Sequence, residues 1–104
     1  MKYIMMESMT GVMHPILFPE SFVHIEMARH MTVFMRRGGD LAEPVRAGFV
    51  ELGLNTRVYG KSESLGLESN ATDAIRMILG SNGNAIPEEL LMPILQRMKA
   101  RAQE

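Results

Sequence analysis

The chain has 104 residues, which is enough for one domain with its own hydrophobic core. Apolar residues make up 46% and charged residues 22%, and the formal net charge of -1 excludes an overall field that would attract nucleic acid or an anionic membrane. Cysteine is absent, which excludes disulfides, thiolate nucleophiles and cysteine-ligated metals and leads us to expect a cytoplasmic protein.

The N-terminal part of the chain predicts two short strands. Residues 2–7 favour a strand, residues 8–11 a turn, and residues 12–18 a second strand. Pro15 cannot donate to a strand ladder, so the second strand is expected at a sheet edge or bent.

A helix is predicted to follow over about residues 20–31. Pro19 and Glu20 are typical of a first turn, and apolar residues then recur with helical spacing. Residues 32–35 leave helix and strand open, because β-branched and aromatic residues directly continue the helical pattern.

The segment 45–67 predicts an antiparallel hairpin that turns at residues 54–56. The segment contains four glycines, which indicate bulges or places where another backbone approaches closely. These glycines are Gly48, Gly53, Gly60 and Gly66.

Two helices are predicted at the C-terminal end. The first covers about residues 70–79, with Ser69 or Asn70 as its cap and Asp73 in its first turn. The second begins at Pro87 and keeps one apolar face across Pro93, where we expect a kink. The order ββαββαα predicts an α+β fold with one antiparallel sheet of two hairpins joined by a helix, followed by two C-terminal helices. We expect a single domain over residues 1–104, with an α+β core in 1–80 and a helical extension in 81–104.

Catalytic and metal-binding patterns are not recognisable in the sequence. Glu26 and His30 are spaced to share one helix face, but an ion needs further ligands, and a solvated surface pair explains them better. Ser62 and Ser64 alternate along a strand with no visible base to activate them. The sequence therefore predicts a protein that is not an enzyme and that has no cofactor.

Methionine is unusually frequent, with 11 residues, eight of them within residues 1–35. Flexible methionines fill irregular cores and also suit adaptable binding surfaces, and both interpretations stay open. The final helix carries an apolar face that could pack on its own domain, on a partner or on a second copy, which makes a homodimer plausible. The residues predicted to contact a partner or a second copy are Met27, Met31, Tyr59, Leu91, Leu95 and Met98.

Nucleic-acid binding is an alternative that would use two small groups of basic residues. These are Arg36 and Arg37 in the middle of the chain, and Lys99 and Arg101 in the last helix. The acidic overall balance disfavours a surface that follows phosphates.

The chain also resembles small phage- and prophage-encoded proteins of unknown function over about residues 2–79. The resemblance lies in KYI near the start, ILFP before HIEMA, the segment VRAGFV, and YGKSESLGLES before ATDA. It implies a compact accessory protein in the cytoplasm of an infected or lysogenic host, and it implies no functional residue.

The leading hypothesis is therefore a non-enzymatic phage accessory protein that binds a host protein and redirects or inhibits it. The first alternative is a small virion or assembly component that acts by self-association. The second is a nucleic-acid-associated protein.

Overall fold

A computed structural model describes residues 1–79 and 88–103, and within α3 it does not describe the side chains of residues 88, 95 and 98–103. The fold is α+β, as the sequence predicts. Its elements in chain order are β1 (Lys2–Ser8), β2 (Met13–Phe18), α1 (His24–Arg37), β3 (Ala42–Glu51), β4 (Arg57–Tyr59), β5 (Lys61–Ser62), β6 (Leu67–Glu68), α2 (Thr72–Leu79) and α3 (Glu88–Gln103).

The main sheet has four antiparallel strands in the order β2-β1-β3-β4. The predicted β1–β2 hairpin is thus confirmed, and β2 lies at an edge, as Pro15 indicates. The β3–β4 hairpin turns through residues 52–56, where the sequence predicts the turn. Beyond Gly60 the predicted strand does not continue in this sheet, because β5 and β6 form a separate small hairpin.

Helices cover both faces of the main sheet. Side chains alternate along β1, so Ile4 and Met6 pack with Ala28 of α1, whereas Tyr3 and Met5 pack on the opposite face with Met77 of α2. A central strand that is apolar on both sides is expected where helices cover both faces.

Strand β3 contains two local irregularities, a β-bulge and a close approach of another backbone segment. The bulge lies at Pro44 to Arg46, because Met5 pairs with Arg46 while Met6 pairs with Pro44. Gly48 provides the predicted close approach instead: a Cβ there would lie 2.6 Å from the carbonyl oxygen of Tyr59. The glycine pattern therefore predicts the close backbone approach at Gly48 correctly. The bulge lies at the segment that contains Pro44, and not at a glycine.

Helix α1 begins later and ends later than residues 20–31. Residue 19 forms a turn with Phe22, and the first helical bond runs from the N–H of Met27 to the carbonyl of Val23. The ambiguous segment 32–35 is helical, and the hydroxyl of Thr32 donates to the carbonyl of Ala28 at 2.8 Å. Helix formation prevails there because Met35 extends the stripe that packs on the core, which local β propensity does not anticipate.

The C-terminal helices follow the prediction where they are described. Asn70 accepts the N–H of Thr72 at 3.0 Å, which confirms its capping role at the start of α2. Helix α3 packs against α2 and runs through Pro93 without a break. The predicted helix start at Pro87 lies outside the described residues. None of the helices in the described ranges is long and apolar enough to cross a membrane.

Candidate binding groove at the start of α1

A groove of about 420 Å³ lies where the first turn of α1 faces the turn between β5 and β6. We call it the α1 groove. Its lining combines apolar, aromatic and charged side chains from five parts of the chain, namely Lys2, Val23, His24, Phe49, Lys61, Glu63 and Ser64.

The sheet register explains why these side chains meet. Lys2 of β1 pairs with Phe49 of β3, and Phe49 pairs with Tyr59 of β4, so the three side chains share one face of the sheet. This is the face that α1 covers. Helix α1 begins at His24, so it does not cover the end of the sheet that carries Lys2, Phe49 and Tyr59.

Aromatic rings form a continuous row beneath the groove. The ring centroids of Phe18 and His24 lie 5.4 Å apart, those of His24 and Phe49 5.9 Å apart, and those of Phe49 and Tyr59 5.7 Å apart. The guanidinium of Arg57 lies over the Tyr59 ring, 4.9 Å from its centroid. Edge-to-face and stacked contacts at these distances are favourable, so His24 and Phe49, which line the groove, are held in place within a packed aromatic row.

His24 is the buried member of this row. Its Nε2–H donates to the carbonyl oxygen of Gly48 at 3.0 Å, since a carbonyl can only accept. Burial lowers the pKa of His24 below its ordinary value of 6.5, so the ring is neutral near pH 7. The histidine therefore fixes α1 to β3 and adds no positive charge to the groove.

The start of α1 is capped from a distant part of the chain. Val23 occupies the N-cap position and makes no side-chain cap. Ser64, 39 residues away, accepts the N–H of Ile25 at 3.2 Å. Ser62 in turn accepts the N–H of Leu65 at 3.2 Å within the β5–β6 turn. Both serines thus have structural roles, and in the described part of the chain no hydrogen bond joins His24 to Ser64.

The charges around the groove are mainly positive. Lys2 donates to the carbonyl oxygen of Phe22 at 2.8 Å, and Lys61 is exposed at the opposite wall. Among the described residues of the lining, Glu63 is the single carboxylate. At the far side of Tyr59, Arg57 is held by two bonds to Glu51, at 2.9 and 3.1 Å.

The predicted contact residues are distributed over the whole molecule. Tyr59 adjoins the groove, and Met27 and Met31 are partly buried against the core. Leu91 is fully buried within the chain, so its side chain packs on its own domain, which is one of the alternatives that the sequence leaves open for this helix face. The side chains of Leu95, Met98, Lys99 and Arg101 lie outside the described part of the structure.

Arg36 and Arg37, the basic step of the nucleic-acid alternative, are exposed in the last turn of α1. The helix has 14 residues, so they lie roughly 20 Å along its axis from the groove. Cations in a last helical turn interact favourably with the helix dipole, which accounts for both residues structurally.

Most of the groove could not be found by sequence reasoning. Strand register brings Lys2 beside Phe49, and the separate β5–β6 hairpin adds Lys61; the sequence pattern specifies neither contact. A signal did exist at Val23, because an apolar residue stands at the N-cap position, where polar residues are preferred.

Among the described residues, no group of three or more His, Asp or Glu side chains is placed to hold a metal ion. Comparisons of the chain with protein-family models, with curated proteins and with solved structures find no match.

Proposed function

We propose that the protein is a non-enzymatic accessory protein that binds another protein through the α1 groove and the apolar residues beside it. The observation that carries this proposal is the exposure of Phe22 and Val23, which leave 50% and 44% of their surface in contact with solvent. Exposed apolar side chains next to a concave, charged surface are typical of sites where proteins associate.

Local stability alone does not favour valine at this position. An Asp, Asn, Ser or Thr at an N-cap stabilises a helix by about 1 kcal/mol relative to an apolar residue. Val23 provides no such bond, and the structure takes a cap from Ser64 instead. A residue that departs from the locally most stable choice is expected where a surface has another role.

The arrangement of the rings favours a protein partner over nucleic acid. Single-stranded nucleic acid binds by stacking its bases on free aromatic faces. Phe49 already contacts His24 and Tyr59, and Arg57 lies over Tyr59. A base would have to displace that guanidinium, which Glu51 holds in place.

The resemblance to phage and prophage proteins supports a setting in an infected or lysogenic bacterium, with a host protein as the partner. Self-association of the chain, as in a virion or assembly component, is the competing function. The two are separated by whether the groove contacts a different protein or a second copy.

Affinity capture from bacterial lysate, treated with nuclease, tests the proposal. The wild-type protein should retain one protein in stoichiometric amount, and Phe22→Glu should release it. Phe34→Glu is the matched control, because Phe34 is 65% exposed near the opposite end of the same helix and the substitution is identical. We expect Phe34→Glu to retain the partner.

Three results would overturn the proposal. The first is a partner that is retained by Phe22→Glu and lost by Phe34→Glu, which would move the contact to the other end of α1. The second is a retained species that nuclease removes. The third is light scattering that shows concentration-dependent oligomers of the pure protein, disrupted by Phe22→Glu, with no retained partner.

A further inference from the structure

We infer that the α1 groove binds an acidic segment of the partner, with a carboxylate between Lys2 and Lys61 and an apolar side chain against Val23 and Phe49. This inference rests on the proposed function, because it specifies the chemistry of the partner at the same surface.

The balance of charge in the groove selects a negatively charged segment. Of the described residues that line it, two are lysines and one, Glu63, is a carboxylate. Among the described residues Lys61 makes no ion pair. Lys2 uses one of its three donors on the carbonyl of Phe22, which leaves its charge beside the groove. A partner carboxylate would add charge-assisted hydrogen bonds to these two groups.

Other sources of positive charge near the groove are already engaged. The terminal amine of Met1 pairs with Glu20 at 3.1 Å, and Arg57 pairs with Glu51. The N–H of Ile25 in the first turn of α1 is bonded to Ser64. The attraction for a carboxylate therefore depends on Lys2 and Lys61 rather than on the helix end.

The apolar part of the lining determines which kind of partner side chain can lie next to the partner's carboxylate. Val23 is nearly half exposed, and Phe49 forms part of the lining from below. The groove is open to solvent and has a volume of about 420 Å³, so it can admit a partner side chain without enclosing it. An aliphatic or aromatic side chain flanked by Asp or Glu satisfies both parts of the lining at once.

Nuclear magnetic resonance of the intact 104-residue protein tests this inference directly. The probes are two capped pentapeptides, one acidic (acetyl-Glu-Asp-Phe-Asp-Glu-amide) and one neutral with the same shape (acetyl-Gln-Asn-Phe-Asn-Gln-amide). The acidic probe should shift the amide signals of Lys2, Val23, Lys61 and Ser64, and its affinity should fall as salt is raised. The neutral probe should bind at least about threefold more weakly.

Lys61→Glu should weaken the acidic probe by at least about threefold, because it replaces an attraction with a repulsion. Arg29→Glu is the matched control, since Arg29 is exposed on α1 and does not line the groove. It should change the affinity by less than about twofold, the small effect expected of a remote charge.

The inference fails if both peptides bind equally, if the shifts fall elsewhere, or if Lys61→Glu and Arg29→Glu weaken binding alike. It also fails if a single-stranded oligonucleotide shifts the groove signals and the acidic peptide does not. The proposed function is tested separately. If capture of the partner is lost in Phe22→Glu but kept in Lys61→Glu, the protein-binding function stands and the inference of an acidic partner segment fails.

Discussion

The hydroxyl of Tyr3 donates to Oδ2 of Asp73 at 2.8 Å, although 70 residues separate the two in the chain. The same carboxylate accepts three hydrogen bonds from Arg46, at 2.7 to 2.9 Å, and it is fully buried. Burial and the neighbouring carboxylate raise the pKa of Tyr3 well above its usual range. Tyr3, Arg46 and Asp73 thus connect α2 to β1 and β3 through a buried carboxylate that is paired with a guanidinium.

Removing the carboxylate should destabilise the protein more than removing the hydroxyl. Asp73→Ala removes a fully buried carboxylate that accepts from both Arg46 and Tyr3, and it should cost about 3–5 kcal/mol in the free energy of unfolding. Tyr3→Phe removes the hydroxyl that donates to Asp73 and accepts the N–H of Asn70, and it should cost about 1–3 kcal/mol. Urea unfolding followed by circular dichroism measures both, and the double variant should lose less than the sum of the two.

Glu51→Ala provides the control for that comparison. Glu51 also forms a bidentate ion pair with an arginine, Arg57, at 2.9 and 3.1 Å, but both side chains are exposed. Its loss should be far smaller than that of Asp73→Ala. Similar losses for the two carboxylates, or strict additivity of Tyr3→Phe and Asp73→Ala, would show that the buried triad does not act as a unit.

The role of Asp73 shows where sequence reasoning stops. The sequence places Asp73 in the first turn of a helix, and that location is correct. Its partners, Tyr3 and Arg46, lie in strands that only the tertiary fold brings beneath α2. Helical periodicity, the turn at 54–56 and the proline at a sheet edge are local patterns and could be predicted. Strand register and burial of polar groups are not local, so the groove and the triad could not.

Replacing Gly48 with alanine should destabilise the protein through steric overlap. A Cβ at Gly48 would meet the carbonyl oxygen of Tyr59 at 2.6 Å and Cβ of Ser69 at 3.0 Å. Because the closest atom belongs to backbone, relief requires the strands to separate, and we expect a loss of about 1–3 kcal/mol or more in the free energy of unfolding.

Gly38→Ala is the matched control, because Gly38 has a φ of -80° and its nearest Cβ contact is an ordinary 3.4 Å. It should change the urea midpoint little. If Gly48→Ala were equally mild, then β3 and the segment after β4 would have to tolerate a wider separation than the structure gives them.

The neutral state of His24 should make stability depend on pH. Burial lowers its pKa in the folded protein, whereas the unfolded chain takes up the proton near the ordinary value of 6.5. The stabilisation from neutral His24 is therefore complete above about pH 6.5 and is lost as the pH falls below that value towards the lower folded pKa. The free energy of unfolding should fall between about pH 7.5 and about pH 5.

His24→Gln should reduce that fall, because glutamine does not titrate. His30→Gln should retain the wild-type pH dependence, since His30 is exposed on the same helix. The test is to measure the urea midpoints of the wild type, His24→Gln and His30→Gln at about pH 7.5 and about pH 5. A fall of equal size in the wild type and in His24→Gln would assign the pH dependence to other groups.

Replacing Val23 with aspartate should separate stability from binding. Asp at the N-cap can accept an N–H of the first turn and lies at the favourable end of the helix dipole, so we expect a gain of about 0.5–1 kcal/mol in the free energy of unfolding. The same change removes an apolar surface from the groove and adds a negative charge beside Lys2 and Lys61, so it should weaken capture of an acidic partner.

Val33→Asp provides the control for Val23→Asp. Val33 is 37% exposed within α1, away from its N-terminus, so the same substitution adds no cap, removes partly buried apolar surface and should lose stability. Opposite signs for the two variants would show that Val23 is retained at a local cost in stability, as a binding surface requires. Equal losses would show instead that packing of Val23 outweighs the missing cap, which would assign it a structural role and remove the main argument for the groove.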